Sequence, residues 1–157
     1  MKLVYYPFLV NINAKRLLFI GGGTVAARKI NALLPMEPAI RVVAPRVCDE
    51  LRALAAAQTI EVIEREGLET DLEQCDYAFL CTDNRERNAA LAAHAKGLRV
   101  PVNVADDPWL CDFHLPAVHI DEDASLVVSV STQGKSPTTA RKLRDRIRDL
   151  LNRGELP

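Results

Sequence analysis

Three consecutive glycines, Gly21-Gly22-Gly23, follow the apolar run RLLFI at 16–20 and precede Thr24-Val25-Ala26. Gly21, Gly23 and Ala26 fit the spacing G-x-G-x-x-A. In a strand–turn–helix setting, the first glycine makes the tight turn and the second lets backbone approach a pyrophosphate. The small third residue lets the helix pack on the strand. The helix start then offers free N–H groups and a partial positive charge to phosphate oxygens. The chemistry predicted for Gly21, Gly22 and Gly23 is therefore dinucleotide binding. A plain connecting turn is the alternative, and the strand–helix context argues against it.

A second candidate is Asp106, in Asp106-Asp107-Pro108 just beyond the run VPVNV at 100–104. Open α/β sheets bind ligands at the carboxyl ends of their strands. A carboxylate there can act as a base. The alternative for Asp106 is a turn cap ahead of Asp107-Pro108; Asp107 is the weaker catalytic candidate. Cys111, His114 and His119 supply three metal-ligand types in one stretch. Structural zinc normally takes four protein ligands. If 113–120 is a strand, the two histidines point to opposite faces. No metal site is expected.

The elements around these residues alternate. Runs at 16–20, 39–44 (AIRVVA), 60–63, 77–81 (YAFLC) and 100–104 read as strands. Ala26, Ala27, Ile30, Leu33 and Leu34 recur at helical spacing, as do Leu51, Leu54 and Ala55, and 89–95 is helix-forming. Pro35 ends the first helix. The fold class predicted is α/β, a Rossmann-type parallel sheet with a small C-terminal α+β appendage. Its nucleotide-binding domain spans 1–112 and the appendage 113–157. In the appendage, 113–120 and 126–131 (LVVSVS) read as strands joined by Asp121-Glu122-Asp123. A helix starts at Pro137 with Ser136 as N-cap and runs to about Asn152. One expected element is missing. The second strand should end in an acidic residue that holds the ribose, yet it ends Val43-Ala44-Pro45-Arg46, and an arginine there leaves NADP open.

Bulk properties narrow the partners. The 157 residues are 48% hydrophobic and 26% charged with a formal net charge of −1, so no general attraction to nucleic acid or anionic membrane is expected. From Lys135 onward, seven basic residues outweigh three acidic ones, a net of +4 against −5 for the rest. This end suits an anionic ligand or partner, with a solvated helix face as the alternative. No run approaches a bilayer span, and Met1-Lys2-Leu3-Val4 opens no secretory signal. Cysteines 48, 75, 81 and 111 form no CxxC pair, and the expected compartment is the cytoplasm. Cys81, at a strand end, reads as a buried apolar thiol.

Beyond the glycine turn, an ordered set of segments carries a family resemblance. It comprises Tyr6-Pro7-Phe8-Leu9, Gly21 through Lys29, Val42-Val43-Ala44-Pro45 and Thr82-Asp83-Asn84. It continues with Pro101 through Pro108, Cys111-Asp112-Phe113-His114-Leu115-Pro116-Ala117 and Ser129 through Pro137. The chain resembles the precorrin-2 dehydrogenase / sirohydrochlorin ferrochelatase family, the module at the N-terminus of siroheme synthase. The resemblance implies NAD-dependent oxidation of precorrin-2 to sirohydrochlorin in siroheme biosynthesis. A homodimer is expected from the strand at 126–131, where Leu126, Val128 and Val130 alternate with Val127, Ser129 and Ser131 near a sheet edge. The resemblance also implies that Thr24 and Val25 lie against the phosphates, Pro45 and Arg46 against the adenosine, and Thr82 within the cofactor site. The family's essential aspartate matches Asp106. For a polycarboxylate tetrapyrrole, Asn103, Lys135, Ser136 and Arg141 are the expected contacts, with Arg144 beside them. Phe113 suits either the macrocycle or the core. Fuller members continue into a helical region beyond the helix that starts at Pro137. Ferrous iron insertion is therefore carried as the alternative, together with a non-catalytic NAD-responsive module.

Overall fold

The computed structural model describes residues 5–121 and 126–156. Expectations for Met1-Lys2-Leu3-Val4 and for most of the acidic turn at 121–123 lie outside these residues. The chain divides into two compact units, one of Asn11–His114 and one of the described parts of 1–10 and 115–157.

In the larger unit, β1 (Arg16–Ile20), β2 (Ala39–Val43), β3 (Glu61–Ile63), β4 (Tyr77–Leu80) and β5 (Val102–Val104) form one parallel sheet. The strand order is β3-β2-β1-β4-β5. Four of the five residues of β1 are buried, as expected of a central strand covered on both faces. Helices α1 (Thr24–Leu33) and α2 (Asp49–Ala56) connect the strands on one side of β1. Helix α3 (Arg85–Leu98) connects β4 to β5 on the other side. Strand order thus reverses between β1 and β4, the crevice where open sheets bind ligands. Leu18, Ile20, Leu80, Val102 and Val104 form one core with Leu91, Ala92 and Ala95 of α3. On the opposite face, Phe19 and Phe79 stack at 4.3 Å, in a register that continues to Asn103.

Several boundaries move from those expected, each for a local reason. Helix α1 stops at Leu33, and Pro35 sits in a single 3-10 turn over Leu34–Met36. Val100 is not strand: its N–H closes α3 on the Ala95 carbonyl, after Arg99 turns left-handed at φ 59°. The strand expected over 113–120 is shorter, β6 (Ala117–Ile120). The Phe113 carbonyl is already taken by Asn103, and Pro116 has no N–H to give a ladder. His114 is therefore off the strand that carries His119.

The smaller unit pairs β6 with β7 (Val127–Val130) as an antiparallel hairpin against α4 (Pro137–Asn152). Ser136 caps α4, its Oγ accepting from the Thr139 N–H at 3.2 Å. Residue 5 belongs here as well: Gln133 exchanges two hydrogen bonds with the Tyr5 backbone. Among the described residues, no helix is long and apolar enough to cross a membrane.

Candidate active site

The three glycines do different work. Gly21 has φ +113°, and a Cβ there would lie 2.8 Å from the Thr82 nitrogen. The first turn therefore tolerates only glycine. A Cβ on Gly22 would lie 2.6 Å from the Arg46 carbonyl oxygen and 2.7 Å from Val47. Gly22 also accepts from the Cys48 N–H at 2.8 Å, so the turns after β1 and β2 are pressed together. Gly23 is different. Its φ of −85° suits any residue, and nothing lies within 4 Å of a Cβ added there. No neighbour in the larger unit asks for a glycine at 23, and the space it leaves lies at the uncapped N-terminus of α1. That pairing fits a pyrophosphate cradle, with Thr24 and Val25 exposed beside it. Ala26, the third small residue, is fully buried.

Pro45 and Arg46 are both exposed at the end of β2, on the same tied pair of turns. The next strand end across the crevice carries Thr82, whose backbone nitrogen lies against Gly21. One strand further, the Ala105 N–H donates to the Leu80 carbonyl at 2.9 Å, extending the ladder to the residue before Asp106. Glycine turn, Thr82 and Asp106 thus occupy three adjacent strand ends, with neighbouring strands about 4.8 Å apart.

The two aspartates divide their roles. Asp107 caps the single 3-10 turn over Pro108–Leu110, its Oδ1 accepting from the Trp109 N–H at 3.0 Å. Its Oδ2 meets Arg85 at 3.1 Å. The Trp109 N–H and then Arg85 hold this carboxyl below the usual aspartate range. Asp106 is exposed and caps nothing. Its Oδ1 accepts from Asn88 Nδ2 at 2.9 Å, and among the described residues its Oδ2 has no protein partner.

Sequence reasoning did not single out Asn88 or Lys29. Asn88 is fully buried and Asn103 only 3% exposed, and they are the buried polar side chains of the described residues. Asn103 is committed internally: Oδ1 accepts from Lys29 at 2.8 Å and Nδ2 donates to the Phe113 carbonyl at 2.9 Å. Burial pushes the Lys29 ammonium below its ordinary range. Burial likewise raises Cys81 to about 11, which leaves it a neutral thiol. Phe113 is half-buried and packs edge-on against Tyr77 and Phe79.

Lys135, Ser136 and Arg141 lie in the smaller unit. Lys135 and Arg141 are exposed and enter no ion pair among the described residues. Arg144 is engaged, donating to the Val118 carbonyl at 2.8 Å and to Asp145. Among the described residues, no cluster of three or more His, Cys, Asp or Glu side chains is arranged to hold a metal ion.

Residues 8–117, which include the whole glycine cradle and Asp106, match the NAD(P)-binding family. The chain belongs to that family. Similar proteins include the siroheme synthase of Stutzerimonas stutzeri, 39% identical over 143 residues. That alignment covers 91% of this chain and 30% of the relative. The siroheme synthase of Nitrosomonas europaea is 36% identical over 148 residues, covering 94% of this chain and 31% of the relative. The chain therefore spans about 30% of the length of these relatives. Among solved structures, SirC, precorrin-2 dehydrogenase, superposes with a TM-score of 0.81 at 26% identity. That superposition covers 92% of this chain and 70% of the other. The resemblance read from the sequence motifs and the Rossmann-type sheet are both borne out.

Proposed function

We propose that the chain is an NAD-dependent dehydrogenase that oxidises precorrin-2 to sirohydrochlorin. The observation that carries this reading is the adjacency of the glycine cradle to Asp106. Its Oδ2 stays open because Asp107 takes over the capping of the turn. The siroheme synthases and SirC named above support the choice of substrate.

The reaction removes a hydride and a proton from the substrate. NAD bound at the glycine turn supplies the hydride acceptor. The chain's own part is to hold the pyrophosphate at Gly21, Gly22, Gly23 and the α1 start, with Thr24 and Val25 beside it. Pro45 and Arg46 border the adenosine, and Thr82 borders the cofactor from the neighbouring strand end. Asp106 Oδ2 takes the proton and returns it to solvent. Lys135, Ser136 and Arg141 of the smaller unit receive substrate carboxylates. Asn103, 3% exposed and bonded to Lys29 and the Phe113 carbonyl, supports β5 ahead of Asp106 rather than reaching the substrate.

The same reading has the protein acting in the cytoplasm as a homodimer. Val127, 46% exposed on β7, leaves apolar surface on a hairpin edge that a second copy suits. The smaller unit then serves as the dimerisation and substrate appendage.

The test is oxygen-free turnover of precorrin-2 with NAD, comparing the wild type with Asp106→Asn. Turnover should fall by about 10²–10⁴-fold in the variant, with NAD affinity and melting temperature unchanged. Asp107→Asn serves as the neighbouring control and should lose less activity. Full activity of the Asp106 variant overturns its role. Iron insertion into sirohydrochlorin, assayed without NAD, reads the chelatase alternative separately.

A further inference from the structure

We infer that Asn88 is the positioning residue for Asp106, fixing the orientation of that carboxylate from the interior of α3. This rests on the reading of Asp106 as proton acceptor. Asn88 is fully buried, and every polar atom of its carboxamide is used. Nδ2 donates to Asp106 Oδ1 at 2.9 Å and to the Thr82 carbonyl at 3.1 Å. Oδ1 accepts from the Thr82 hydroxyl at 2.7 Å. Both N–H groups and the oxygen are therefore satisfied. The flipped amide would set its oxygen against a carboxylate and a carbonyl, both acceptors, so chemistry fixes the orientation.

An asparagine at this position is not required by packing. Leu91, Ala92 and Ala95 cover the sheet from the same helix with apolar side chains. A buried amide is unfavourable unless it is bonded, and here its bonds converge on two adjacent strand ends, those of β4 and β5. The arrangement occupies Oδ1 of Asp106 with a donor and leaves Oδ2 as the oxygen that takes a proton. It also ties Thr82, on the cofactor side, to the carboxylate on the substrate side. Holding the base in one rotamer removes an ordering requirement from the reacting complex.

The experiment is a double-mutant cycle on the full chain, read by precorrin-2 turnover and NAD titration. Asn88→Ala should lower kcat by about 10- to 100-fold while the Kd for NAD stays within about threefold of wild type. On an Asp106→Asn background the same substitution should cost nothing further, because its effect runs through that carboxylate. An equal loss on both backgrounds overturns the inference, as does wild-type kcat in Asn88→Ala. Wild-type kcat in Asp106→Asn alone instead overturns the assignment of Asp106, and this inference with it. Should Asn88→Ala not fold, Asn88→Asp keeps the size and the acceptor for Thr82 but turns an oxygen toward Asp106. A folded Asn88→Asp should show the same loss of kcat, and wild-type kcat there is again decisive against the role.

Discussion

Lys29, in the second turn of α1, reaches to Asn103 on β5, its Nζ donating to Oδ1 at 2.8 Å. The helix that begins at the glycine turn is thereby joined to the strand that leads to Asp106. Desolvation lowers the ammonium's pKa first and most strongly; Cys81 and Cys111 nearby oppose that shift, and Arg28 adds to it.

Stability near the alkaline end should carry the signature of this lysine. The folded-state pKa lies below the ordinary 10.5, so between the two values the unfolded chain binds more protons. Wild-type stability therefore rises as pH climbs through the folded value toward 10.5, and the penalty is complete below it. Lys29→Met keeps the apolar stem and removes the charge. Urea unfolding of both proteins from about pH 7 upward should show the variant's relative advantage shrinking with pH. A difference that stays constant across that range rules out a buried charge as the cause.

The glycines should separate by their readouts. A Cβ at Gly23 meets no neighbour within 4 Å, so melting of Gly23→Asp should hardly change, while a carboxylate at the cradle should weaken NAD binding at least about tenfold. That is about 1.4 kcal/mol of lost affinity. Gly22→Ala should instead lower the melting temperature, because its Cβ meets the Arg46 carbonyl oxygen at 2.6 Å. Overpacking of that kind costs about 1–3 kcal/mol of stability. Titration calorimetry and thermal melts of the two variants check the contrast; unchanged NAD affinity in Gly23→Asp would falsify the cradle.

How much of this was legible in the residues depends on how local the cause is. The run at 16–20 reads as a buried strand because a parallel strand covered on both faces is apolar throughout. The start of α4 is legible because Ser136 and Pro137 act within one turn. The G-x-G-x-x-A spacing likewise carries its own geometry. Asn88 and Lys29 are different. Each sits at an ordinary polar position of a helical pattern, and its partner is 18 or 74 residues away. Only the strand order brings those partners together. The aspartate pair was ambiguous for the same reason: whether Asp106 or Asp107 caps the turn depends on where the backbone bends, and both spell the same motif.

Loss of stability in strong acid should carry the signature of Asp71. Its carboxylate takes two hydrogen bonds from Arg65, at 2.8 and 2.6 Å, and one from the Leu68 N–H at 2.7 Å. The Arg65 bonds, followed by the Leu68 N–H, hold its pKa below 3.8. The stabilisation is thus present above 3.8 and is lost as pH falls through the lower folded value. Asp71→Asn should destabilise the chain at neutral pH and narrow the gap to wild type in strong acid. Chemical denaturation at neutral pH and at about pH 2.5 checks this; a gap of equal size at both values removes the carboxylate from the explanation.

Cofactor choice turns on Arg46. The strand that should end in an acidic residue ends Ala44-Pro45-Arg46, so no carboxylate there holds the ribose hydroxyls or repels a 2′-phosphate. Arg46 itself is exposed and forms no ion pair among the described residues, which leaves its guanidinium available to solvent and ligand alike. A solvated arginine adds little to a neutral ribose but attracts a phosphate dianion. The proposed preference for NAD must therefore come from backbone contacts at the paired turns after β1 and β2, where Gly22 lies against the Arg46 carbonyl. Those contacts do not depend on the side chain. Arg46→Ala should consequently leave kcat/KM with NAD within about twofold and lower whatever activity NADP supports. Arg46→Glu should depress NADP further, by about tenfold or more, through direct charge repulsion. Steady-state kinetics with both nucleotides on the three proteins decide it. If wild type prefers NADP, and Arg46→Ala reverses that preference, the guanidinium reads a 2′-phosphate and the assignment of NAD fails.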